Sequence, residues 1–286
     1  MIFTTSLISA AEEFQWPNFF VLGRLLFDMR QLPPVGLGTM GLDGPTGVTA
    51  IKTAIELGYR HLDTAQIYDN EEVVGAAVEQ SPTARNELTI ATKVWADSLT
   101  PEQVFNTTTE SAAKLGVETI DLLYVHRPID TYDPETTLPA FEQLVDEGLV
   151  SNVGLSNFTI EEIETAHNVL SSPISAHQTE LHPLFYQPAL IDHAREHNYT
   201  VVGYSPLAGG AVFELPTLVE IAEKHESTPA AVSIAWLTEK ENVVVIPKAT
   251  SKTHLRANIE AKSLELDPED VAAIESIEAE RELFAE

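Results

Sequence analysis

Eight short apolar runs, each closing on a polar residue and each followed by a helical pattern, constrain this chain more than any other feature. The runs are 34–39, 59–63, 88–93, 120–126, 150–156, 174–180, 200–205 and 243–248. They lack the alternation of half-exposed strands, so they read as strands covered on both faces, joined by helical crossovers in a parallel sheet. Helices are expected from Thr46 to Leu57, from Asn70 as cap to Glu79, and from a Thr100-Pro101-Glu102-Gln103 capping box to Gly116. Others are expected over 135–147, from Thr159 with Glu162 as cap, over 187–197, 216–225, 228–241 and 252–258, and from Asp267. Eight strand–helix units in roughly 250 residues define a (β/α)8 TIM barrel. No linker, repeat or low-complexity segment divides them, so one domain over 29–286 is expected. Residues 1–28 precede the organised pattern. They read as an N-terminal extension or as the result of a start placed upstream of a natural Met29.

Composition narrows the functional classes. There is no cysteine, which removes disulfides, thiolate metal sites and a cysteine nucleophile. Forty-four acidic residues against 16 Lys and Arg give a net charge of −28, spread along the 286 residues. Such a surface repels nucleic acid and anionic membranes. It also suggests a cytoplasmic protein from a high-salt organism, where screening relieves self-repulsion. No run approaches the ~18 apolar residues of a membrane span. The expected partner is a small molecule, and the expected state a monomer.

The strand ends carry the chemistry. Asp63, Lys93, His126, Ser156 with Asn157, Gln178 with Glu180, Ser205 and Lys248 all fall at C-terminal ends of the expected strands. In a barrel these ends share one face, where barrel enzymes keep their sites. Asp63 ends an apolar run and needs a cation if buried. Lys93, one strand later, is the candidate. Tyr68 follows Asp63 by five residues. A tyrosine normally titrates near pH 10, and an ammonium beside it stabilises the phenolate formed when it gives up its proton. Asp63, Tyr68, Lys93 and His126 together suit protonation of a carbonyl oxygen while a hydride, which no side chain carries, arrives at carbon.

Two other patterns compete. Gly36-Leu37-Gly38-Thr39-Met40-Gly41 matches G-x-G-x-x-G, but a dinucleotide fold needs that motif to open a helix, and Gly44-Pro45 suggests a loop. His61, His126, His177 and His182 could be imagined as ligands of a hydrolase-type metal site, but tight H-x-H spacing is absent and no metal is assigned.

The sequence resembles the aldo-keto reductase family from about Leu32 to Leu266. Gly58-Tyr-Arg-His-Leu-Asp-Thr-Ala-Gln-Ile-Tyr68 is similar to the family's first signature, and Tyr124-Val-His-Arg-Pro128 to the segment bearing its histidine. Gly154-Leu-Ser-Asn-Phe158, Gln178-Thr-Glu-Leu-His-Pro183, Gly203-Tyr-Ser-Pro-Leu207 and Val245-Ile-Pro-Lys248 match further marks. The look is that of prokaryotic reductases of 2,5-diketo-D-gluconate type. The resemblance implies an NADP-dependent oxidoreductase with a tetrad of Asp63, Tyr68, Lys93 and His126, and Tyr68 as general acid. It implies an extended nicotinamide cofactor. Gly38 and Thr39 would line it, and Asp63 would touch its ribose. Ser156, Asn157 and Gln178 would meet the carboxamide, and Tyr204 would stack on the ring. Ser205, Leu207 and Gly209 would border the pyrophosphate, and Lys248, Ala249 and Thr250 the adenosine phosphate end.

Departures from the family matter here. The family often has Arg six residues after the lysine, where this chain has His254, and Glu nine residues after it, where this chain has Ala257; Asn258 is retained. NADPH is still expected, because Lys248 and Thr250 are present, and the departures make NADH possible. Substrate contacts are expected from Tyr68, Trp95 and His126, in a pocket left open by short loops. The alternative function is a cofactor-binding regulatory subunit with little turnover, like the potassium-channel β subunits.

Overall fold

The computed structural model describes residues 32–284. The expected extension 1–28 and the start at Met29 lie outside the described residues. The elements run β1 (Leu37–Gly38), α1 (Gly44–Glu56), β2 (His61–Asp63), α2 (Glu71–Glu79), β3 (Thr89–Val94), α3 (Pro101–Leu115), β4 (Leu122–Val125), α4 (Pro134–Asp146) and β5 (Val153–Ser156). They continue with α5 (Ile160–Val169), β6 (Ala176–Glu180), α6 (Pro188–His197), β7 (Thr200–Tyr204), α7 (Pro216–Lys224), α8 (Pro229–Thr238), β8 (Val243–Val245), α9 (Lys252–Glu260) and α10 (Pro268–Glu275). All eight strands are parallel and lie in chain order. A bridge between Val35 and Val245 joins the two edges, with Gly36 N donating to Val245 O at 2.8 Å. This is the (β/α)8 barrel the strand pattern predicts, and its strand order rules out the dinucleotide fold that G-x-G-x-x-G alone suggests.

Side chains on a strand alternate between faces, and that period sorts the core into two. Ala91, Leu122, Tyr124, Ala176, Val202, Val244 and Ile246 pack inside the barrel. Their neighbours Ile90, Leu123, Leu155, Val201 and Val245 face outward to the helices, against residues such as Ile51, Phe141 and Leu190. Two residues beyond Ala91, Tyr124, Ala176 and Val202 come Lys93, His126, Gln178 and Tyr204. The same period that fills the barrel therefore aims these groups at its mouth. Gly154 permits the tyrosine layer: a Cβ there would sit 2.5 Å from the Tyr124 ring carbons.

Local signals place several helix ends. Thr159 and Glu162 form a reciprocal capping box on α5, and Asp267 and Asp270 form one on α10. Gly116 ends α3 at φ 66°, a conformation glycine adopts without strain. Three expectations need correction. Thr46 does not start α1; the helix begins at Gly44 after Asp43, because Pro45 suits a first turn. Asn70 precedes α2 but does not cap it, since its side-chain amide donates to Thr39 O and Leu42 O and its Oδ1 accepts from Thr64 Oγ1. The Thr100 hydroxyl donates to Gln103 Oε1 at 2.6 Å in place of making a capping box. Among the described residues, no helix is long and apolar enough to cross a membrane.

Candidate active site

Asp63 closes β2 and Lys93 lies on the inner face of β3, and both side chains are almost wholly buried. Lys93 Nζ donates to Asp63 Oδ1 at 2.5 Å and to Thr64 O at 2.8 Å. Gln178 on β6 donates to the other carboxylate oxygen at 2.7 Å. Two buried charges survive because each is paired and its remaining valences are used. Burial alone would discharge the ammonium, but Asp63 and then Tyr68 beside it hold the Lys93 pKa above its ordinary value.

Tyr68 is carried by a single 3-10 turn, Gln66–Tyr68, that follows β2. Gln66 pins this turn: its Oε1 accepts from Trp95 N at 3.2 Å and its Nε2 donates to Ser111 Oγ at 3.1 Å. Asp69, at φ 53°, then turns the chain into α2. The result sets the Tyr68 ring centroid 5.2 Å from Lys93 Nζ and 6.1 Å from the His126 ring. His126 stands just past the end of β4, with Trp95 edge-on at 4.9 Å. Burial, then the charges of Lys93 and Arg127, push the His126 pKa down to about 2, so the imidazole is neutral at physiological pH. Its Nδ1 is buried without a hydrogen-bond partner.

Asn157 and Ser205, at the ends of β5 and β7, adopt left-handed conformations with φ 60° and 53°. Non-glycine residues occupy that region at a cost, and such positions gather at functional sites. Asn157 uses its side chain inside the protein, donating to His126 O at 3.0 Å and accepting from the Tyr204 hydroxyl at 2.9 Å. Burial raises the Tyr204 pKa, so its hydroxyl remains a donor.

A cavity of about 550 Å³ opens at the mouth. Of the candidates named from the sequence, Gly38, Thr39, Asp63, Tyr68, Trp95, His126, Ser156, Asn157, Gln178, Tyr204, Ser205, Leu207, Gly209 and Lys248 line it. Lys93 lies behind Asp63 and does not reach the wall. Ala249, Thr250, His254 and Asn258 stand outside it, on the segment leading into and along α9. Lys248 is exposed and makes no ion pair among the described residues.

Sequence reasoning missed Met40, Ile67, Gly210, Ile246 and Phe284 in the wall. Met40, Ile67 and Phe284 are among the exposed large apolar residues, which is the signal that could have marked them. Phe284 has a specific cause. Buried Glu180 accepts backbone hydrogen bonds from Leu283 at 2.7 Å and Phe284 at 3.1 Å, and a third from His182 Nε2. This draws residues 283–284 over the mouth and sets Phe284 edge-on to Tyr204 at 5.7 Å. The pocket is therefore less open than the short loops imply.

Four histidines, His61, His126, His177 and His182, are buried, and burial holds the pKa of each below its ordinary value. Burial lowers the pKa of His61, which lies below Asp63 at 4.0 Å, and takes His177 down to about 3 and His126 to about 2. The unfolded chain protonates these groups near pH 6.5 while the folded protein resists. Their contribution is therefore complete above about pH 6.5 and is lost as pH falls toward the folded values, at about 1.4 kcal/mol per unit and histidine. Carboxylates titrate mostly below pH 5, so urea melts between pH 7.5 and 5.5 read the histidines, and the difference between wild type and His177→Gln isolates one of them. His177→Gln should flatten the slope by about one histidine's share; an unchanged slope would refute this account.

A parallel barrel whose strand ends bring a buried acid–lysine pair, a tyrosine and a neutral histidine to one cavity has the architecture of a barrel enzyme. Residues 34–279 match the aldo/keto reductase family, and the chain belongs to that family and is an oxidoreductase. It is 37% identical over 257 residues to methylglyoxal reductase DkgB of Escherichia coli O157:H7, covering 89% of this chain and 96% of that protein. It is 33% identical over 262 residues to the 9,11-endoperoxide prostaglandin H2 reductase of Trypanosoma cruzi (strain CL Brener), covering 88% and 90%. Among solved structures, the aldo-keto reductase MGS-M4 from a Medee basin deep-sea metagenome library superposes with a TM-score of 0.85 at 34% identity, covering 89% and 94%.

Proposed function

We infer that the protein reduces small aldehydes and ketones to alcohols with NADPH, with Tyr68 as the proton donor. The observation that carries this reading is the buried Asp63–Lys93 pair beside Tyr68, with neutral His126 across the same cavity. The donor set fits a nicotinamide dinucleotide. Ser156, Gln178 and the Tyr204 ring supply polar and flat surfaces at the barrel's centre, while Lys248 supplies an exposed cation at its edge. The approach near Gly38 is tight, since a Cβ there would lie 2.6 Å from Ile246 O. Beyond Lys248, the exposed cations Lys252 and Arg256 on α9 suit an adenosine phosphate in a chain of net charge −28.

The cofactor supplies the hydride. Tyr68 donates a hydrogen bond to the substrate's carbonyl oxygen, which polarises the carbonyl carbon, and then transfers its proton to that oxygen. Lys93 stabilises the phenolate left behind, and Asp63 with Thr64 O keeps the ammonium aimed at it. His126, being neutral, offers a hydrogen bond to the same oxygen without competing as an acid. Trp95, Ile67 and Phe284 keep water from the reacting carbon. The charged Arg127 in the wall suits dicarbonyl or carboxylated substrates.

Steady-state oxidation of NADPH and of NADH with methylglyoxal, a keto-gluconate and simple aldehydes tests the reading. Turnover with NADPH favoured is expected. No turnover with any member would point to the regulatory-subunit reading, and a clear NADH preference would overturn the cofactor assignment. The proposed enzyme is a cytoplasmic monomer of a salt-adapted organism. Thermal melts should show a higher Tm in multimolar KCl than in dilute buffer, and an equal or lower Tm would remove the salt-adaptation idea.

A further inference from the structure

The reaction leaves one group of histidines unused. His193 and His197 stand four residues apart on the last two turns of α6, which puts them on one face. Their rings stack at 4.1 Å with planes 13° apart. Glu164, on α5, meets both: its Oε1 lies 2.6 Å from His193 Nε2 and 3.4 Å from His197 Nε2. The three ligand atoms all lie within 4.8 Å of one another. A tetrahedral zinc ion with bonds of about 2.0–2.1 Å needs its ligands roughly 3.3 Å apart, so small side-chain adjustments suffice.

The surroundings also suit a metal. His193 Nδ1 lies 2.8 Å from the hydroxyl of buried Tyr199. A protonated His193 donates from both nitrogens and pairs with Glu164 directly, whereas the neutral ring has two arrangements. In one, the hydroxyl donates to Nδ1 and Nε2–H donates to Glu164. In the other, Nδ1–H is given to the phenolic oxygen, and the Nε2 lone pair faces the carboxylate. Only a cation between them stabilises the second, and a hydrogen-bonded far nitrogen is how metal-bound histidines are oriented. A third imidazole, His167, stacks behind His197 at 5.1 Å with its Nε2 buried and unpartnered.

A second cluster makes the contrast. His225, Asp267 and Asp270 are comparably close, but Lys224 already inserts its ammonium there, 2.7 Å from Asp267 and 2.8 Å from Asp270. At Glu164 the ion-pair partners among the described residues are both histidines.

We propose that Glu164, His193 and His197 form a zinc-type divalent metal site, completed by water, that staples α5 to α6. The α6 ligands directly precede β7, so the site lies at the end of the barrel where strands begin, away from the cavity. Its role is to hold the scaffold, since that end of a barrel serves stability and the opposite end serves chemistry. Two imidazoles and one carboxylate suit Zn²⁺ among the common divalent ions.

The test uses the full chain, stripped with EDTA, exchanged into molar KCl to suppress diffuse binding, and titrated with Zn²⁺ alone. One equivalent should bind with micromolar or tighter affinity and raise Tm by about 5 °C at a hundredfold excess over Kd. His197→Ala, at an exposed position, should weaken binding by about 100-fold or more and remove the Tm shift. Glu164→Gln should weaken it substantially, and His225→Ala should leave it unchanged. Circular dichroism confirms that each variant is folded. No saturable binding below about 100 μM, undiminished binding in His197→Ala, or loss of binding in His225→Ala would each overturn the proposal.

Discussion

Tyr68→Phe is expected to abolish carbonyl reduction while leaving the protein folded and able to bind cofactor. A positioned general acid contributes about 10²–10⁴-fold, so kcat and kcat/KM should fall together by about three orders of magnitude. Their parallel loss distinguishes a group acting in the transition state from one that merely binds substrate. Stability should change by less than about 0.5 kcal/mol, because Tyr68 is half-exposed on a short turn held by Gln66. Stopped-flow NADPH oxidation with methylglyoxal and cofactor titration by fluorescence give both readouts. A variant keeping a tenth of the wild-type rate would move the proton donor elsewhere.

Lys93→Met is expected to have the largest effect on the fold itself. It strands the Asp63 carboxylate in the barrel, where an unpaired charge costs about 3–5 kcal/mol, or roughly 10 °C in Tm. Removing both charges, in Asp63→Asn with Lys93→Met, should recover most of that stability, because the well-packed neutral pair no longer needs solvation. Activity should not return. Calorimetry on the two single variants and the double variant separates the roles. If the double variant is as unstable as Lys93→Met alone, charge burial is not the source of the loss. If it turns over substrate, the ammonium is not needed to hold the phenolate.

The barrel was legible in the sequence because its pattern is repeated eight times and each unit reinforces the others. The strand-end residues Asp63, Lys93, His126 and Gln178 were legible for the same reason, since one period of two both fills the barrel and aims the mouth, whereas Tyr204 was named only through the family resemblance. Residue type was a good guide to where helices end, as at Gly116 and Thr159, but a poor guide to what a side chain binds. Asn70 looks like a cap and instead ties together the chain at Thr39, Leu42 and Thr64. Asn157 lines the cavity, and its amide also meets His126 O and the Tyr204 hydroxyl, partners that its residue type does not announce. Partners that are distant in sequence are chosen by the tertiary fold, and composition and spacing carry no trace of them. The same limit hid Phe284, which reaches the cavity only because Glu180 accepts hydrogen bonds from a backbone about 100 residues away. It also hid Glu164 with His193 and His197, whose facing depends on how two helices lie side by side.

The seam between β1 and β8 has a kinetic consequence. β1 has two residues and β8 three, and a single bridge joins segments roughly 200 residues apart in the chain. Closing so long a loop is entropically unfavourable until nearly every other unit has formed, so the seam is expected to be among the last contacts made. Gly38 and Thr39 follow one lip of that seam and Lys248 follows the other, and these are the residues proposed to grip the two ends of the dinucleotide. A bound dinucleotide would therefore act as a latch, slowing the breathing of the closed ring by holding the two ends of the barrel's own folding sequence together.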